Sequence, residues 1–417
     1  MEIFKFGGLS TQDADSVKRV SEIIKANSDK ELVLVFSAMG KTTRQLEKFI
    51  YSAFHNKPDF NEQYQLFYDY HFKIINELNL NDNEKIAIGN IFNEVKKYCN
   101  ETEKNNYDFF YDQIVCYGEL IASRILSFYL EKIGLPNKWI DIRNSLITNN
   151  HFREGVVNWE DSNFLIRNNF LFEKNQNNLF VTQGFIAKTK EGFTTTLGLD
   201  GSDYTAAILA HCLDANHVTI WKDVKGVMNA DPKYFDETIM LNTLSYNDAI
   251  ELAFYGANVI HPKAIKPLQN KNISLEVKSF FTPKHKGTII NNEPCEQKIT
   301  TYIFKINQVL LTISPLDFSF IIEENLRDIF DIFSKYYVKV NIMQNTAISF
   351  TVSIDNNETK LPDILKELNQ RFKVESVQGL ELITIRNHNQ QIIDKVIANK
   401  KVFVKFLSGN VAQIIAK

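Results

Sequence analysis

Apolar residues recur along the chain at two spacings, and the points where the spacing changes divide it. Glu2–Phe6 reads as a short strand that Gly7–Gly8 break. Val17, Val20, Ile23 and Ile24 then recur at helical spacing, and Leu32–Phe36 forms a second buried-strand run. Strand, helix, strand at this spacing predicts a βαβ unit, and with it a mainly parallel sheet covered by helices. Residues 44–112 are rich in Phe, Tyr and Asn and carry mostly helical periodicity, which predicts a helical excursion whose aromatics pack a core. The α/β alternation resumes from Asp112: helix over Gly118–Leu130, strands at Lys138–Ile142 and Leu179–Thr182, a hairpin into Thr194–Thr196, helix over Tyr204–Leu213, strand at His217–Trp221 and helix over Tyr246–Tyr255. A polar boundary falls at Asn291–Pro294.

The tail from about 300 to 417 has another rhythm. A strand at Val309–Ser314 precedes a helix near Phe320–Tyr336. Strands at Val338–Met343 and Ala347–Ile354, a helix at Leu361–Phe372 and a strand near Leu380–Ile385 follow, giving βαββαβ, a ferredoxin-like order. A shortened second copy follows: helix Gln391–Ala398 and strands Val402–Leu407 and Val411–Ile415. The fold class expected is α/β, with residues 1–295 as an αβα sandwich and 300–417 as an α+β unit.

The 417 residues exceed one ordinary core and suggest two or three domains. With 44% hydrophobic and 23% charged residues the chain is expected to be globular. Its 47 basic and 50 acidic side chains nearly balance, so no broad electrostatic attraction to nucleic acid or to an anionic membrane is expected. The four cysteines form no CxxC pair, which argues against a disulfide scaffold or a Cys-based zinc site. Met1–Lys5 enters the first strand without a basic, apolar leader, and no run reaches the ~18 apolar residues of a membrane span, so a cytoplasmic location is expected.

Glycine is scarce, 16 in all, so its clusters carry information. Gly7–Gly8 between strand and helix fit a phosphate-binding turn with Lys5 as its mobile charge, or a tight turn beside a surface lysine. Gly40-Lys41-Thr42 is not a P-loop, because Val35 stands where the pattern needs glycine. Thr194–Asp203 crowds three threonines, two glycines, Ser202 and Asp203 into a strand-to-helix turn. That is where α/β proteins place ligands, although helix capping by Ser202 and Asp203 would also account for it. Glu119 either caps its helix or receives a ligand ammonium group.

Taken in order, these pieces resemble the aspartokinases of the amino-acid kinase superfamily. The resemblance runs through Lys5-Phe6-Gly7-Gly8, Phe36–Gly40 with Thr43, Gly118-Glu119, Asp141-Ile142-Arg143, Val181–Ile186 and Thr195–Gly198. It continues through Gly201–Ala207, Ile220-Trp221, Asp223-Val224, Gly226-Val227, Asp231-Pro232, Gly256-Ala257 and His261-Pro262. It implies a kinase domain followed by regulatory ACT domains. It further implies transfer of a phosphoryl group from ATP, carried with Mg²⁺, to the L-aspartate side chain, giving 4-phospho-L-aspartate on the route to lysine, threonine and methionine. Lys5, Phe6, Gly7 and Gly8 would face nucleotide phosphates, with Lys222, Asp223 and Lys233. Lys5 and Asp203 would be catalytic, and Thr43, Glu119 and Ser202 would hold aspartate. No protein-bound metal site is implied. The partners implied are ATP and L-aspartate, an amino-acid effector, and a second copy of the chain joined through the ACT region.

Four positions depart from the family pattern. Leu199 replaces an arginine that grips the substrate carboxylate, Asn258 replaces a basic residue near the nucleotide, Met228 replaces a tyrosine, and Leu9 replaces a small residue. They leave two alternatives open: a catalytically degenerate amino-acid-sensing homologue, or a kinase for another carboxylate.

Overall fold

The structure is a computed structural model that describes residues 1–101, 104–171, 178–235, 237–257, 260–293, 299–317 and 319–417. In chain order the strands and helices are β1 (Glu2–Phe6), α1 (Ala14–Lys25), β2 (Leu32–Phe36), α2 (Thr42–Phe54), α3 (Phe60–Glu77), α4 (Asp82–Glu101), α5 (Tyr107–Val115), α6 (Tyr117–Lys132), β3 (Lys138–Trp139), β4 (Ile147–Thr148), α7 (Trp159–Leu171), β5 (Leu179–Gln183), β6 (Ile186–Thr189), β7 (Thr194–Thr196), α8 (Gly201–Cys212) and β8 (His217–Lys222). They continue with β9 (Thr243–Ser245), α9 (Tyr246–Tyr255), α10 (Pro262–Lys271), β10 (Ser274–Ser279), β11 (Thr288–Asn291), β12 (Thr301–Pro315), α11 (Glu323–Lys335), β13 (Val340–Asn345), β14 (Phe350–Asp355), α12 (Leu361–Leu368), β15 (Phe372–Arg386), α13 (Gln390–Ile397), β16 (Val402–Ser408) and β17 (Val411–Ala416).

Two compact units result. The first comprises Met1–Val227, Met240–Ala253 and Asn258–Cys295; the second comprises Met228–Ile239, Phe254–Ala257 and Glu296–Lys417. An eight-stranded sheet, ordered β3-β5-β2-β1-β8-β10-β11-β9, carries the first unit. Only the β10–β11 pairing within it is antiparallel. β2 and β5 are buried at every position, so helices cover both faces of the sheet, as its apolar runs predict. The carboxyl ends of β5, β2, β1 and β8 lie side by side in that order and position the site. The helical excursion is α2–α5, with Phe49, Phe67, Phe92 and Phe110 fully buried.

The expected strand at Lys138–Ile142 stops at Trp139. Asp141 takes the Arg143 amide at 3.0 Å and winds the chain into a short 3-10 turn over Ile142–Asn144. Helices α7 and α10 and strands β4, β9, β10 and β11 fall outside the elements that the sequence pattern predicts, although β10 alternates buried with half-buried positions.

In the second unit six antiparallel strands run β13-β14-β12-β15-β17-β16. β12 and β15 each start about eight residues before the sequence suggests, and pair along almost their whole length. The polar steps Asn307-Gln308 and Gln378-Gly379 hide that continuity, because pairing slips there and Asn307 turns left-handed at φ +55°. Val309, Leu311, Ile329, Phe333, Val352 and Ile364 form the core of the first ferredoxin-like module. Ile383, Ile385, Ile393, Ala412 and Ile414 form that of the shorter second one. Phe235 packs its ring at a tilt against Tyr302 and Phe304, with centroids at 4.7 and 5.6 Å, and ties the 228–239 segment into this unit. Cys99, Cys116 and Cys212 are free and buried; Cys295 lies outside the described residues. Among the described residues no helix is long and apolar enough to cross a membrane.

Candidate active site

The first two strands end in turns that press on each other. The Gly40 amide donates to the Gly8 carbonyl at 2.8 Å. A Cβ on Gly8 would sit 2.7 Å from the Ala38 oxygen and 2.8 Å from the Gly40 oxygen, closer than side chains come, so only glycine fits. Gly40 itself turns left-handed at φ +54°. Ala38 joins this turn to helix α6, because its amide donates to Glu119 Oε1 at 3.3 Å. Behind Ala38, a Cβ on Gly118 would lie 3.1 Å from the Ala38 methyl.

Lys5 reaches from the end of β1 into the first turn of α8, where its Nζ lies 2.6 Å from Asp203 Oδ1. Lys222, at the end of β8, brings its Nζ to 3.4 Å from Asp203 Oδ2. Burial acts to raise the Asp203 pKa, but the charges of Lys5 and then Lys222 outweigh it and hold the carboxyl below its ordinary value. Two ammonium groups against one carboxylate leave one net positive charge among these three side chains. Beside Gly7–Gly8 that charge suits an anion, and Asp203 fixes where the ammonium groups point.

Glu119 provides the acidic counterpart. Its side chain is buried, and Oε2 has no hydrogen-bond partner among the described residues. Burial pushes its carboxyl up to about 8, with the Ala38 amide and its own acting to lower it. A buried carboxylate with one oxygen unmatched is a receptor for a cationic group. Thr43 is half-buried in the first turn of α2. Its neighbour Thr42 is held by His71, whose Nδ1–H donates to the Phe67 carbonyl at 2.8 Å and leaves Nε2 to accept the Thr42 hydroxyl at 3.3 Å. Burial drives His71 down to about 4, so it stays neutral and structural. Ser202 is buried against Gly184, where a Cβ would meet the Ser202 Cβ at 2.5 Å.

Lys5, Gly7, Gly8, Glu119, Ser202, Asp203 and Lys222 are thus gathered at adjacent strand ends, with Thr43 opening the helix that follows β2. Capping does not explain Ser202 and Asp203: both lie inside the first turn of α8, whose N-cap is Asp200, left-handed at φ +53°. Phe6 is stacked between Phe36 and Trp221 at 5.4 and 6.0 Å, so it offers a ligand only its backbone. Asp223 is exposed just after β8. Lys233 is exposed on the Asp231 turn of the 228–239 segment, within the second unit. Leu199 is 77% exposed and brings no polar group. Asn258 lies outside the described residues.

Asp112 gives no sequence signal yet organises one wall. It accepts the Arg153 amide at 2.7 Å and the Thr196 amide and hydroxyl at 3.0 and 2.9 Å. Among the described residues no three His, Cys, Asp or Glu side chains converge as metal ligands, and Asp203 already faces two ammonium groups.

The family model for the amino acid kinase family matches residues 1–279. The chloroplastic bifunctional aspartokinase/homoserine dehydrogenase 2 of Arabidopsis thaliana is 33% identical over 72% of this chain and 33% of its own length. The chain spans about a third of the length of such bifunctional plant relatives. Lysine-sensitive aspartokinase 3 of Escherichia coli K12 is 27% identical over 92% of this chain and 86% of its own. The crystal structure of E. coli aspartokinase III in complex with lysine and aspartate superimposes with a TM-score of 0.85 at 25% identity, covering 100% of this chain and 95% of that one. The chain belongs to the amino acid kinase family, and its likeness within that family is to the aspartokinases.

Proposed function

We propose that the chain is an aspartate kinase that transfers the γ-phosphoryl group of ATP to the side-chain carboxylate of L-aspartate, giving 4-phospho-L-aspartate and ADP. The observation that carries the reading is one site with two opposite demands: a lysine pair with net positive charge beside a glycine turn, and a buried glutamate with an unmatched oxygen. The first suits a polyphosphate and the second an ammonium group, and a kinase for an amino acid needs both. Aspartate as acceptor is supported by the aspartokinase relatives and by the aspartate that the E. coli neighbour holds.

The acceptor carboxylate is already a nucleophile, so no general base is required. One of its oxygens forms a bond to the γ-phosphorus while the bond to the β,γ-bridging oxygen breaks, and ADP leaves with that electron pair. Lys5 and Lys222 stabilise charge on the phosphoryl oxygens, Asp203 aims the two ammonium groups, and Glu119 anchors the substrate ammonium, with Thr43 and Ser202 beside it. Asp223 and Lys233 are carried along as nucleotide contacts on the resemblance alone. Magnesium in this reading arrives on the phosphates of ATP. Incubation with ATP, L-aspartate and hydroxylamine should give aspartyl hydroxamate in step with ADP. ATP turnover that requires a different carboxylate would move the acceptor, and no turnover with any would favour the sensing alternative.

The second unit is read as the regulatory part, an ACT pair that joins two copies of the chain and takes an amino-acid effector. Its edge strand β16 leaves Val402, Phe406 and Leu407 exposed, and exposed apolar edges are normally covered. Light scattering at micromolar concentration should give twice the chain mass; a monomer would remove this part of the reading. A cytoplasmic location goes with the same reading.

A further inference from the structure

An amino-acid substrate brings three charged groups, and the site described so far receives two of them. We propose that Arg153 holds the substrate's α-carboxylate and thereby sets the preference for an α-amino acid. This rests on the reading of the chain as an aspartate kinase.

Arg153 sits at φ +67°, a left-handed conformation that a long side chain rarely adopts. Such backbone persists only where its surroundings enforce it, and it concentrates at binding sites. The enforcing group is Asp112, whose buried carboxyl takes the Arg153 amide together with the Thr196 amide and hydroxyl. The Gly155 amide also donates to the Thr196 carbonyl at 2.8 Å. Arg153 is therefore fastened to β7, the strand that runs into the Gly198–Ser202 turn, and its carbonyl lies 3.4 Å from where a Gly198 Cβ would be.

The guanidinium lies over the Tyr111 ring at 4.4 Å. The Tyr111 hydroxyl donates to Glu47 at 3.2 Å, and the charges of Arg153 and Glu119 both act on it. Arg153 thus packs on a ring whose hydroxyl lies within electrostatic reach of Glu119. Among the described residues the guanidinium makes one ion pair, from Nη1 to Asp108 at 3.3 Å, and both side chains are about half exposed. Such a pair is weak and leaves most of the five N–H donors for a carboxylate. Arg143 is differently placed: Nε and Nη2 grip Asp141 at 3.0 and 2.7 Å, and Nη1 reaches Thr194 at 3.3 Å. Leu199, exposed at the mouth of the same turn, offers no donor.

The test compares L-aspartate with its α-amide, which keeps the reacting carboxylate and the ammonium group, in the full-length chain. Binding is read by calorimetry and turnover by hydroxamate. Wild type should prefer aspartate by about tenfold or more, as expected for one charged hydrogen bond. Arg153→Met should bind the two alike, with kcat and the KM for ATP roughly unchanged, and Arg153→Lys should recover part of the preference. Arg153→Gly, which relaxes the backbone, should melt no lower than wild type yet lose the same affinity; a merely structural arginine would not separate the two readouts. A preference retained in Arg153→Met, or lost instead in Lys41→Met or Arg44→Met, overturns the assignment while leaving the kinase reading intact. Wild type that neither binds nor phosphorylates aspartate overturns both.

Discussion

Lys5→Ala is expected to leave a folded protein that has lost phosphoryl transfer. Lys5 is one of two ammonium groups on Asp203, and the one seated near the end of β1, two residues before Gly7. Removing a single positioned donor from a charge-stabilising site lowers kcat by about 10²- to 10³-fold, while the KM for aspartate moves little. The same change removes the nearer partner of a buried carboxylate, and breaking a buried pair destabilises by about 3–5 kcal/mol. The double variant Lys5→Met with Asp203→Asn separates the two effects. It removes the buried carboxylate together with its nearer cation and leaves only the less buried Lys222 ammonium, so it should melt closer to wild type than Lys5→Ala and still be inactive. If either variant retained near-normal kcat, the lysine pair would not be the phosphoryl site. Acid sensitivity follows from the same carboxyl. Its folded pKa is depressed, so its contribution to stability is present above its ordinary value of 3.8 and is lost as the pH falls through the lower folded value. In the double variant that loss should be absent.

The first unit was largely legible because its strands are continuous apolar runs closed by glycines: Leu32–Phe36 could only be a strand buried on both faces. The second unit was legible in order but not in extent. Asn307 and Gly379 interrupt the apolar pattern at points where pairing slips and then resumes, so two strands of 15 residues each looked half that length. Periodicity reports burial, and a strand segment exposed on one side between two modules has little to report.

The site was legible in proportion to how much of its geometry is local. Lys5 and the glycines are close in sequence, and so are Ser202 and Asp203. That Asp203 should join Lys5 to Lys222 across about 200 residues is a property of the sheet order β2-β1-β8, which no local spacing encodes. Asp112 and Arg153 left no mark at all. A lone aspartate in an aromatic helix and a lone arginine in a polar loop are ordinary in sequence, and only the left-handed backbone between them and β7 sets them apart. Conversely, the exposed Leu199 was conspicuous by residue type, and the structure gives the reason for its tolerance: its side chain supports no packing.

Glu119→Gln should make the protein more stable at alkaline pH and, in the same range, a poorer enzyme. Burial pushes this carboxyl up to about 8 in the folded chain, against 4.5 ordinarily. Between those values the folded state holds a proton that the unfolded state has released, so wild-type stability declines as the pH rises from about 5 to 8. Glutamine keeps the shape and stays neutral, so that decline should disappear, and the gap in Tm should open above pH 8 and close toward pH 5. Aspartate binding runs the other way. The substrate ammonium needs the ionised carboxylate, so at neutral pH binding must expel the proton from Glu119. Calorimetry in two buffers of different ionisation enthalpy should therefore record proton release in wild type and none from this group in the variant. The wild-type KM for aspartate should fall as the pH rises toward 8 and level off above it. Glu119→Gln should raise that KM about 10- to 150-fold, the worth of one charge-assisted hydrogen bond, and flatten its dependence on pH. A variant that binds aspartate as tightly as wild type, still with proton release, would place the ammonium elsewhere and leave Glu119 as a structural acid beneath Ala38.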